Sequence, residues 1–472
     1  MIKIYNTLTR KKEEFTPIED GVIKIYNCGP TVYGYFHIGN ARNFVVFDVI
    51  RRYLQFRGFK IKYVQNITDI DDKIINRAKE EGVSASEVAS KYTIAYFEDS
   101  DFLGIAKADI YPKATEHISD MIRTIQILLD KGYAYVIDGD VYYEVSKFKN
   151  YGLLSKQSLD ELLSGARVEV DERKKSPLDF ALWKKAKPGE PFWDSPWGKG
   201  RPGWHIECSV MSMKYLGENF DIHGGGCDLI FPHHENEIAQ SEASTGKHFV
   251  NFWVHNGHIN ISGEKMSKSL GNFLLVCDIK KKYKQEVLRF FLLSAHYRSP
   301  IDFSEENIKS CEEGYREFYN TISRLRFLAD LSVITEQNSV DFSNLLKSCE
   351  GLQGKFIEIM DDDFNTASAL GSLFSLANEV KMFLARKDFK LTSEVKKTLL
   401  NTKNELEKFA TLFGICPTEV KFSSNIFDLI SERNKSRLNK DWQRADEVRK
   451  KLLDLGVIIE DTSAGTIPIY KI

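Results

Sequence analysis

The pattern that most constrains this chain is a strand, a helix and a second strand close to its start. Residues 21–29 (GVIKIYNCG) and 59–68 (FKIKYVQNIT) are short, apolar and rich in β-branched side chains, as is typical of buried strands. Residues 40–58 between them repeat apolar side chains at helical spacing and stop at Gly58. Such a unit predicts a parallel sheet with a right-handed crossover, and therefore an α/β fold.

The ends of the two predicted strands carry polar side chains. Cys28 closes the first strand, and Thr68 and Asp69 close the second. Ligands of parallel sheets bind beyond the carboxyl ends of the strands, so we expect these residues to face one crevice. At this point Cys28 has three interpretations: a buried small residue, a redox thiol, or a metal ligand.

The rest of the chain separates into an insertion and a helical part. Residues 113–202 are predicted to be an insertion that contains a hairpin at 138–148 (DGDVYYEVSKF). Residues 315–328 (YREFYNTISRLRFL) have helical periodicity, and a last helix is predicted over 441–455. The apolar stripe of that last helix begins at Trp442, which we therefore assign to the core.

Composition excludes some classes of protein. The net charge of −2 gives no chain-wide basic surface, although residues 433–451 carry eight basic and three acidic side chains, a local excess of +5. The N-terminus lacks the apolar core of a secretory signal, and no apolar run reaches the length of a membrane span. The seven cysteines are odd in number and scattered. We therefore expect a cytoplasmic protein with reduced cysteines and no membrane partner.

A possible metal site combines residues far apart in the sequence. Pro232 suits the first turn of a helix, on which His233 and Glu237, four residues apart, share one face. With Cys28 and Cys208 they offer two thiols, one imidazole and one carboxylate, all zinc ligand types. Taken one by one, these residues are better explained as a helical ion pair and as two buried cysteines. Other candidate ligands lie nearby: His205, His223, Cys227, His234 and Glu235.

A possible phosphate site begins at residues 37–40 (HIGN), where the predicted helix starts. The free N–H groups and the positive dipole of a helix N-terminus attract anions. Gly39 would let a base or ribose approach the backbone, while His37 and Asn40 could donate hydrogen bonds to phosphate oxygens. An ordinary helix start is the alternative.

A second cationic segment is residues 262–272 (SGEKMSKSLGN), with Lys265 and Lys268 three apart. One interpretation is a solvated surface loop. The other is a flexible loop that closes over a polyphosphate and stabilises the charge of the leaving group.

Taken in order, six segments resemble one family. They are CGPTVYGYFHIGN, NITDIDDKI, RPGWHIECS, DIHGGGCDLIFPHHENEIAQSEA, KMSKSLGNF and MDDDFNT. The chain is similar in these segments to the cysteinyl-tRNA synthetases, a family of class I aminoacyl-tRNA synthetases, and the resemblance runs from residue 1 to the C-terminus.

The resemblance implies a Rossmann-type catalytic domain split by an insertion, followed by a mainly α-helical C-terminal half with a small mixed C-terminal domain. The domain bounds we expect are 1–112 with 203–245 for the catalytic domain, 113–202 for the insertion, 246–312 for the stem-contact region with the KMSKS loop, 313–414 for a helical bundle and 415–472 for the anticodon-binding domain.

The resemblance also implies an activity, namely ATP-dependent ligation of L-cysteine to tRNA(Cys) through a cysteinyl-adenylate, with Mg²⁺ accompanying ATP. It implies one Zn²⁺ per chain, held by Cys28, Cys208, His233 and Glu237. The ATP residues would be His37, Gly39, Asn40 and Lys268, and the catalytic residues His37, Asn40, Lys265 and Lys268. Gly29, Thr68 and Trp204 are our candidates for binding cysteine, and Arg437 and Arg444 for anticodon contacts. A monomer is expected.

One residue departs from the family pattern. The usual motif is His-Ile-Gly-His, and Asn40 stands in the last place. Asparagine can donate a hydrogen bond to phosphate but carries no proton charge. We expect an active enzyme. Two alternatives are a ligase that passes activated cysteine to a small amine, which the long segment after the KMSKS loop argues against, and a non-catalytic tRNA-binding paralogue, which the complete KMSKS and ligand set argue against.

Overall fold

The computed structural model describes residues 1–158, 161, 173–265, 273–331, 341–419, 421–462 and 465–471. Its contacts divide the chain into two compact units. The first comprises Met1–Gln285, Ala295–Phe303 and Asp361–Phe364, and the second comprises Glu286–Ser294, Ser304–Met360 and Asn365–Ile472.

The elements are numbered in chain order. The strands are β1 (Lys3–Asn6), β2 (Lys11–Glu14), β3 (Val22–Asn27), β4 (Lys60–Gln65), β5 (Ala134–Ile137), β6 (Asp140–Tyr143), β7 (Phe180–Lys185), β8 (Gly200–Pro202), β9 (Phe220–Gly226), β10 (Val250–Asn256), β11 (Ile259–Ile261), β12 (Glu264–Lys265), β13 (Ile301–Phe303), β14 (Val457–Thr462) and β15 (Gly465–Tyr470). The α-helices are α1 (Ile38–Phe56), α2 (Asp72–Glu81), α3 (Ala85–Phe102), α4 (Ile118–Asp130), α5 (Trp204–Leu216), α6 (Glu235–Thr245), α7 (Val276–Ile279), α8 (Gln285–Leu293), α9 (Glu305–Asp330), α10 (Ser343–Asp361), α11 (Thr366–Leu384), α12 (Ser393–Phe413), α13 (Ser424–Leu438) and α14 (Trp442–Asp454).

The first unit is built on a parallel sheet of four strands in the order β10-β9-β3-β4. The crossover from β3 to β4 is α1, so the predicted strand–helix–strand unit is confirmed. The predicted apolar face of α1 is buried, including Phe44, Phe47 and Leu54. Phe47 packs so closely under β9 that a Cβ on Gly224 would lie 1.9 Å from its ring. Helix and sheet therefore meet without space for a side chain at that point.

Another sheet of the first unit is antiparallel and has four strands in the order β5-β6-β7-β8. The predicted hairpin is confirmed, with a two-residue turn at Asp138 and Gly139 between β5 and β6. Both turn residues have positive φ, 54° and 93°. That geometry matches the strand twist and favours Asp-Gly.

The second unit is mainly helical and ends in a small α/β segment. The predicted periodic helix is α9, whose side chains at Tyr315, Phe318 and Ile322 are buried. Helices α13 and α14 and the antiparallel pair β14–β15 enclose a core of their own. Among the described residues, no helix combines the length and the apolar character needed to cross a bilayer.

The assignment of Trp442 to the core is wrong. The buried stripe of α14 consists of Ala445, Val448 and Leu452. Trp442 is the first residue of the helix, and 59% of its surface is exposed. Leu455, just beyond the other end, is 50% exposed. The part of α14 that packs against the core is therefore shorter than the apolar stripe in its sequence.

Candidate active site

The start of α1 is fixed by a reciprocal cap. The Nδ1 atom of His37 accepts a hydrogen bond from the backbone N–H of Asn40 at 3.2 Å, and Asn40 Oδ1 accepts one from the backbone N–H of His37 at 3.4 Å. This is a capping box made by an unusual pair of residues. The side-chain amide nitrogen of Asn40 takes no part in it, so the cap leaves the donor of Asn40 for another partner.

The helix start opens onto a cavity of about 410 Å³ in the first unit. The structure places many of the predicted site residues in its lining: Cys28, Gly29, His37, Gly39, Asn40 and Trp204. Gly29 is required by its surroundings, because a Cβ there would lie 1.7 Å from the backbone oxygen of Asn66. A crevice is therefore present at the strand ends, and Cys28 lines it as expected. Thr68 and Asp69 are not among its lining residues, and Asp69 instead accepts hydrogen bonds from the N–H and the hydroxyl of Thr115 at 3.0 and 2.6 Å.

At one end of this cavity lies a buried cluster of metal-binding types. The ligand atoms of Cys28, Cys208, His233 and Glu237 all lie within 4.8 Å of one another. Cys28 Sγ is 3.8 Å from Cys208 Sγ and 3.8 Å from Glu237 Oε1, while His233 Nε2 is 3.0 Å from the same Oε1. Cys28 belongs both to this cluster and to the cavity wall.

A second group overlaps the first. Cys28, His223, His234 and Glu237 also lie within 4.8 Å of one another, with His234 Nε2 3.3 Å from Cys28 Sγ. His223 Nε2, however, is hydrogen-bonded to the second carboxylate oxygen, Glu237 Oε2, at 2.8 Å. In this arrangement one oxygen of Glu237 faces the two cysteines and His233, and the other is held by His223. The geometry thus favours the first group as ligands and His223 as the group that orients the carboxylate.

The other candidate ligands have different partners. Glu235 accepts hydrogen bonds from the backbone N–H groups of Gly152 and Ser155, both at 2.8 Å. His205 Nδ1 lies 3.0 Å from His233 Nδ1, behind the cluster. Cys227 lies half-buried in a short 3-10 turn and belongs to neither group.

Burial and charge act against each other in the cluster. Burial acts to raise the pKa of the Glu237 carboxyl, but His223 and His233 together outweigh burial and lower this pKa to about 2. Burial lowers the pKa of His233, but Glu237 and Cys208 raise it to about 10. Burial also raises the pKa of the Cys208 thiol, whereas the hydrogen bond with Cys28 and the charge of His233 bring it down to about 6. The positive charge of His233 is therefore stabilised by Glu237 and Cys208, whereas burial raises the pKa of the Cys28 thiol.

The three residues predicted to hold cysteine differ in position. Trp204 stacks on His233 with ring centroids 4.2 Å apart, and it lines the cavity together with Gly29. Thr68 is 1% exposed, and its hydroxyl donates to Glu207 Oε2 at 2.9 Å. The structure brings Gly29 and Trp204 to the cavity, whereas the Thr68 hydroxyl already has a buried partner.

Only part of the cationic loop, residues 262–272, lies within the residues that the structure describes. Lys268 lies outside the described residues, and of Lys265 only its place at the end of β12 is described. The chain that follows the loop returns to α1. The ring of Phe273 lies 4.5 Å from the ring of His37, and the backbone oxygen of Leu274 accepts from Ile38 N–H at 2.9 Å. The roles of Lys265 and Lys268 stay predictions.

Sequence reasoning missed two residues of the site. His255 Nε2 lies 2.7 Å from His234 Nδ1, and its Nδ1 lies 2.8 Å from Thr7 Oγ1. Lys73 lines the cavity with its ammonium 6.0 Å from the centre of the Trp204 ring. Each is an isolated polar residue in an ordinary strand or helix, so no pattern distinguished either of them.

Comparisons with known proteins identify the fold and the family of this chain. Residues 14–313 match the family model described as the catalytic domain of class I (C) tRNA synthetases, and residues 355–416 match a DALR domain. A methionyl-tRNA synthetase from Mycobacterium tuberculosis, solved with methionyl-adenylate, has the same fold. Its TM-score is 0.61 at 15% identity, over 84% of this chain and 90% of that one. A structure named as a putative arginyl-tRNA synthetase from Campylobacter jejuni gives a TM-score of 0.57 at 15% identity, over 84% and 94%. The fold is that of a class I aminoacyl-tRNA synthetase.

Relatives of known function identify the family within this class. A cysteine–tRNA ligase from Thermodesulfovibrio yellowstonii is 54% identical over 100% of both chains, and one from Clostridioides difficile is 52% identical over 98% of this chain and 99% of the relative. The chain therefore belongs to the cysteine–tRNA ligase family of class I aminoacyl-tRNA synthetases.

Proposed function

We propose that this chain activates L-cysteine with ATP and transfers it from the adenylate to tRNA(Cys). The observation that carries the proposal is the double position of Cys28, whose sulfur belongs to the buried metal-type cluster and also lines the cavity beside the start of α1. Sulfur recognition and nucleotide binding would thus share one cavity. The family supports the same reaction.

The start of α1 is the proposed phosphate site. The backbone N–H groups of the first turn and the helix dipole favour an anion there. His37 and Asn40 would bind and orient the ATP phosphates, and Gly39 would let the nucleotide approach the backbone. Lys265 and Lys268 would stabilise the charge that develops on pyrophosphate. ATP would bring Mg²⁺ with it.

The first chemical step needs alignment more than covalent help. The carboxylate of cysteine attacks the α-phosphorus, the bond from that phosphorus to the bridging oxygen breaks, and pyrophosphate leaves with the electron pair. The side chains of the cavity hold both reactants in place and exclude water, which is where most of the rate gain of such a step originates. A hydroxyl of the tRNA's 3′-terminal ribose then attacks the carbonyl carbon and gives up its proton to the departing phosphate, the bond from that carbon to the phosphate oxygen breaks, and AMP leaves with the electron pair.

The buried cluster fits zinc on two grounds. Its donors are two thiols, one imidazole and one carboxylate, a set typical of tetrahedral Zn²⁺. Two sulfur atoms bound at about 2.3 Å to one tetrahedral ion lie about 3.8 Å apart. The separation of Cys28 Sγ and Cys208 Sγ is 3.8 Å. We propose that Cys28, Cys208, His233 and Glu237 hold one Zn²⁺.

Zinc would explain how cysteine is separated from serine, because a bound zinc ion takes a thiolate as a ligand far more readily than a hydroxyl. An apolar pocket alone separates small side chains poorly, by about 1–3 kcal/mol per methylene. Gly29 and Trp204 would close the pocket around the amino acid, with Thr68 holding Glu207 behind it.

The C-terminal segment, residues 415–472, is the proposed anticodon-binding part. Arg437 and Arg444 have carboxylate partners in the structure: Asp461 for Arg437, and Glu432 and Glu447 for Arg444. To contact RNA they would exchange these carboxylates for phosphates or base edges. We further propose the domain bounds given above, a cytoplasmic location and a monomeric state.

The experiment that tests this function has two parts. Cysteine-dependent exchange of labelled pyrophosphate into ATP tests activation, and transfer of labelled cysteine to tRNA(Cys) tests ligation. Exchange without transfer to tRNA would point to a ligase for a small amine, and the absence of exchange would leave only a binding protein. Metal analysis with X-ray absorption should show one zinc per chain and one additional sulfur neighbour once cysteine is added.

A further inference from the structure

Arg42, two residues after the phosphate-site Asn40, has an unusual set of partners. Its side chain is fully buried. Nη1 donates to the backbone oxygens of Gly257 at 3.0 Å and His258 at 2.8 Å. Nη2 donates to the backbone oxygens of His296 at 3.2 Å and Ser299 at 2.5 Å. One guanidinium thus joins α1 to two other segments.

No carboxylate of the described residues lies within ion-pairing distance of Arg42. Burial lowers the pKa of its guanidinium to about 10, and the proximity of Cys227 raises it slightly against that effect. The side chain is therefore still charged at neutral pH although its described partners are backbone carbonyls. Burying a charge is costly, and four carbonyls arranged around one planar fork are a specific way to offset that cost. Such an arrangement holds the guanidinium and the four carbonyl groups in one relative position.

The two segments that Arg42 joins form one wall of the cavity. Gly257 and His258 line the cavity itself. Residues 296–299 lie behind them, with the Gly257 N–H bonded to the Tyr297 oxygen at 2.8 Å. A Cβ on Gly257 would lie 2.6 Å from the oxygen of Ser299. The backbones therefore meet in direct contact, and any shift of 296–299 would move the wall.

The rear segment is also held from its other side. The carboxylate of Asp363 accepts from the Tyr297 hydroxyl at 2.7 Å and from Arg298 Nε at 2.7 Å. Asp363 is fully buried and has a φ of 66°, a conformation that costs a non-glycine residue free energy. Residues 296–299 thus lie between Arg42, which holds their backbone, and Asp363, which holds their side chains.

We propose that Arg42 is a positioning residue for nucleotide binding. It sets residues 257–258 at a fixed distance from the start of its own helix, where the phosphates bind, and Asp363 braces the same wall from behind. The wall would contact the base or ribose, since the phosphates lie at the helix end. The proposal rests on the proposed function in naming ATP as the nucleotide.

The first test compares Arg42→Lys with Arg52→Lys. Both residues lie on α1 and donate to a backbone oxygen, but Arg52 pairs with Asp48 and reaches Gly104, away from the wall. Lysine keeps the charge and loses the fork. Equilibrium dialysis with α,β-methylene-ATP should give a Kd about tenfold higher for Arg42→Lys than for the unmodified chain, and an unchanged Kd for Arg52→Lys.

Steady-state exchange assays separate positioning from general damage. Arg42→Lys should raise the KM for ATP and leave the KM for cysteine and the zinc content unchanged. Equal increases in both KM values, or an unchanged Kd for the ATP analogue, would overturn the proposal. A purely structural role would lower the melting temperature and the active fraction without this selectivity.

Asp363→Asn supplies an independent arm if Arg42→Lys does not fold. Asparagine keeps the shape and removes the charge that holds Arg298. Asp363→Asn should raise the Kd of the ATP analogue by a smaller factor than Arg42→Lys. An unchanged Kd in Asp363→Asn would show that Asp363 does not brace the wall. Dialysis needs no catalysis. A chain that binds the analogue through Arg42 but does not activate cysteine would refute the proposed function and leave this inference standing.

Discussion

Cys28 Sγ lies 3.8 Å from Cys208 Sγ, although 180 residues separate them in the chain. Cys28 follows the end of β3, and Cys208 lies on α5. The fold of the first unit therefore brings the two thiols together despite their separation in the sequence. A metal bound by both would join these two sequence-distant segments.

Cys28→Ser should lower zinc content and cysteine affinity together, because serine is a poor zinc ligand and the cluster would keep three donors. Zinc per chain is measured by inductively coupled plasma mass spectrometry and cysteine affinity by calorimetry. Cys227→Ser is the matched control, since that residue lies outside the cluster, and should change neither. Normal cysteine affinity in zinc-free protein would contradict the role given to the metal.

Asn40→Asp should separate the cap from phosphate binding. Aspartate keeps an oxygen that can accept from the His37 N–H, so the helix start should stay intact. It places a negative charge where ATP phosphates are proposed to bind, and the Kd for ATP should rise by about tenfold or more. Thermal unfolding and nucleotide dialysis measure the two properties. A marked fall in melting temperature with unchanged ATP affinity would instead show that Asn40 serves the helix cap and not phosphate binding.

Gly29→Ala should destabilise the first unit strongly. The new Cβ would lie 1.7 Å from the Asn66 oxygen, so the backbone of one strand end would have to move. We expect a loss of about 1–3 kcal/mol in the free energy of unfolding, measured in urea. Gly34→Ala is the control from the same segment, because a Cβ there meets nothing within 4 Å. Similar losses in both variants would show that the close approach is not the cause.

The C-terminal segment should lose stability in acid. Asp461 faces Arg433 through two hydrogen bonds of 2.6 and 2.7 Å, and this pairing lowers the pKa of its carboxyl well below the usual value. A carboxyl with a lowered pKa contributes its stability above its unfolded pKa, about 3.9, and loses it as the pH falls further. Because Asp461 is 41% exposed, we expect only about 1 kcal/mol.

Asp461→Asn is the variant that checks this pH dependence. It should lower the melting temperature at pH 7 and have a smaller effect at about pH 2, because the unfolded carboxyl is then protonated while the native carboxyl, with its lowered pKa, is only beginning to lose its charge. An equal effect at both pH values would assign the loss to packing.

Local patterns in the sequence were enough for the elements that lie along one segment. The strands β3 and β4, helix α1, the Asp138–Gly139 hairpin and helix α9 follow from periodicity and turn chemistry. The residues around Arg42 could not be predicted this way. Its partners are backbone oxygens more than 200 residues away, which no side-chain pattern records.

The cluster shows the same limit in a different form. The pair His233 and Glu237 follows from a spacing of four residues, although α6 begins at Glu235 and His233 lies in the turn Ile230–His234 before it. The proposed choice among several nearby histidines needed three-dimensional contacts, such as the bond between His223 and the second oxygen of Glu237. Trp442 was assigned wrongly because an apolar stripe shows which face of a helix is buried and does not show how far along the helix the neighbour extends.

Because Trp204 stacks on His233, the fluorescence of this tryptophan should depend on the state of the metal-type cluster. An indole 4.2 Å from an imidazole changes its emission when the charge on that ring changes. Occupation of the cluster should therefore be visible as a change in tryptophan fluorescence, without any added dye. Replacing Trp204 by phenylalanine should remove its part of that signal while keeping an aromatic ring in the cavity wall, and the part from Trp253, which stacks on His223 at 4.6 Å, should remain.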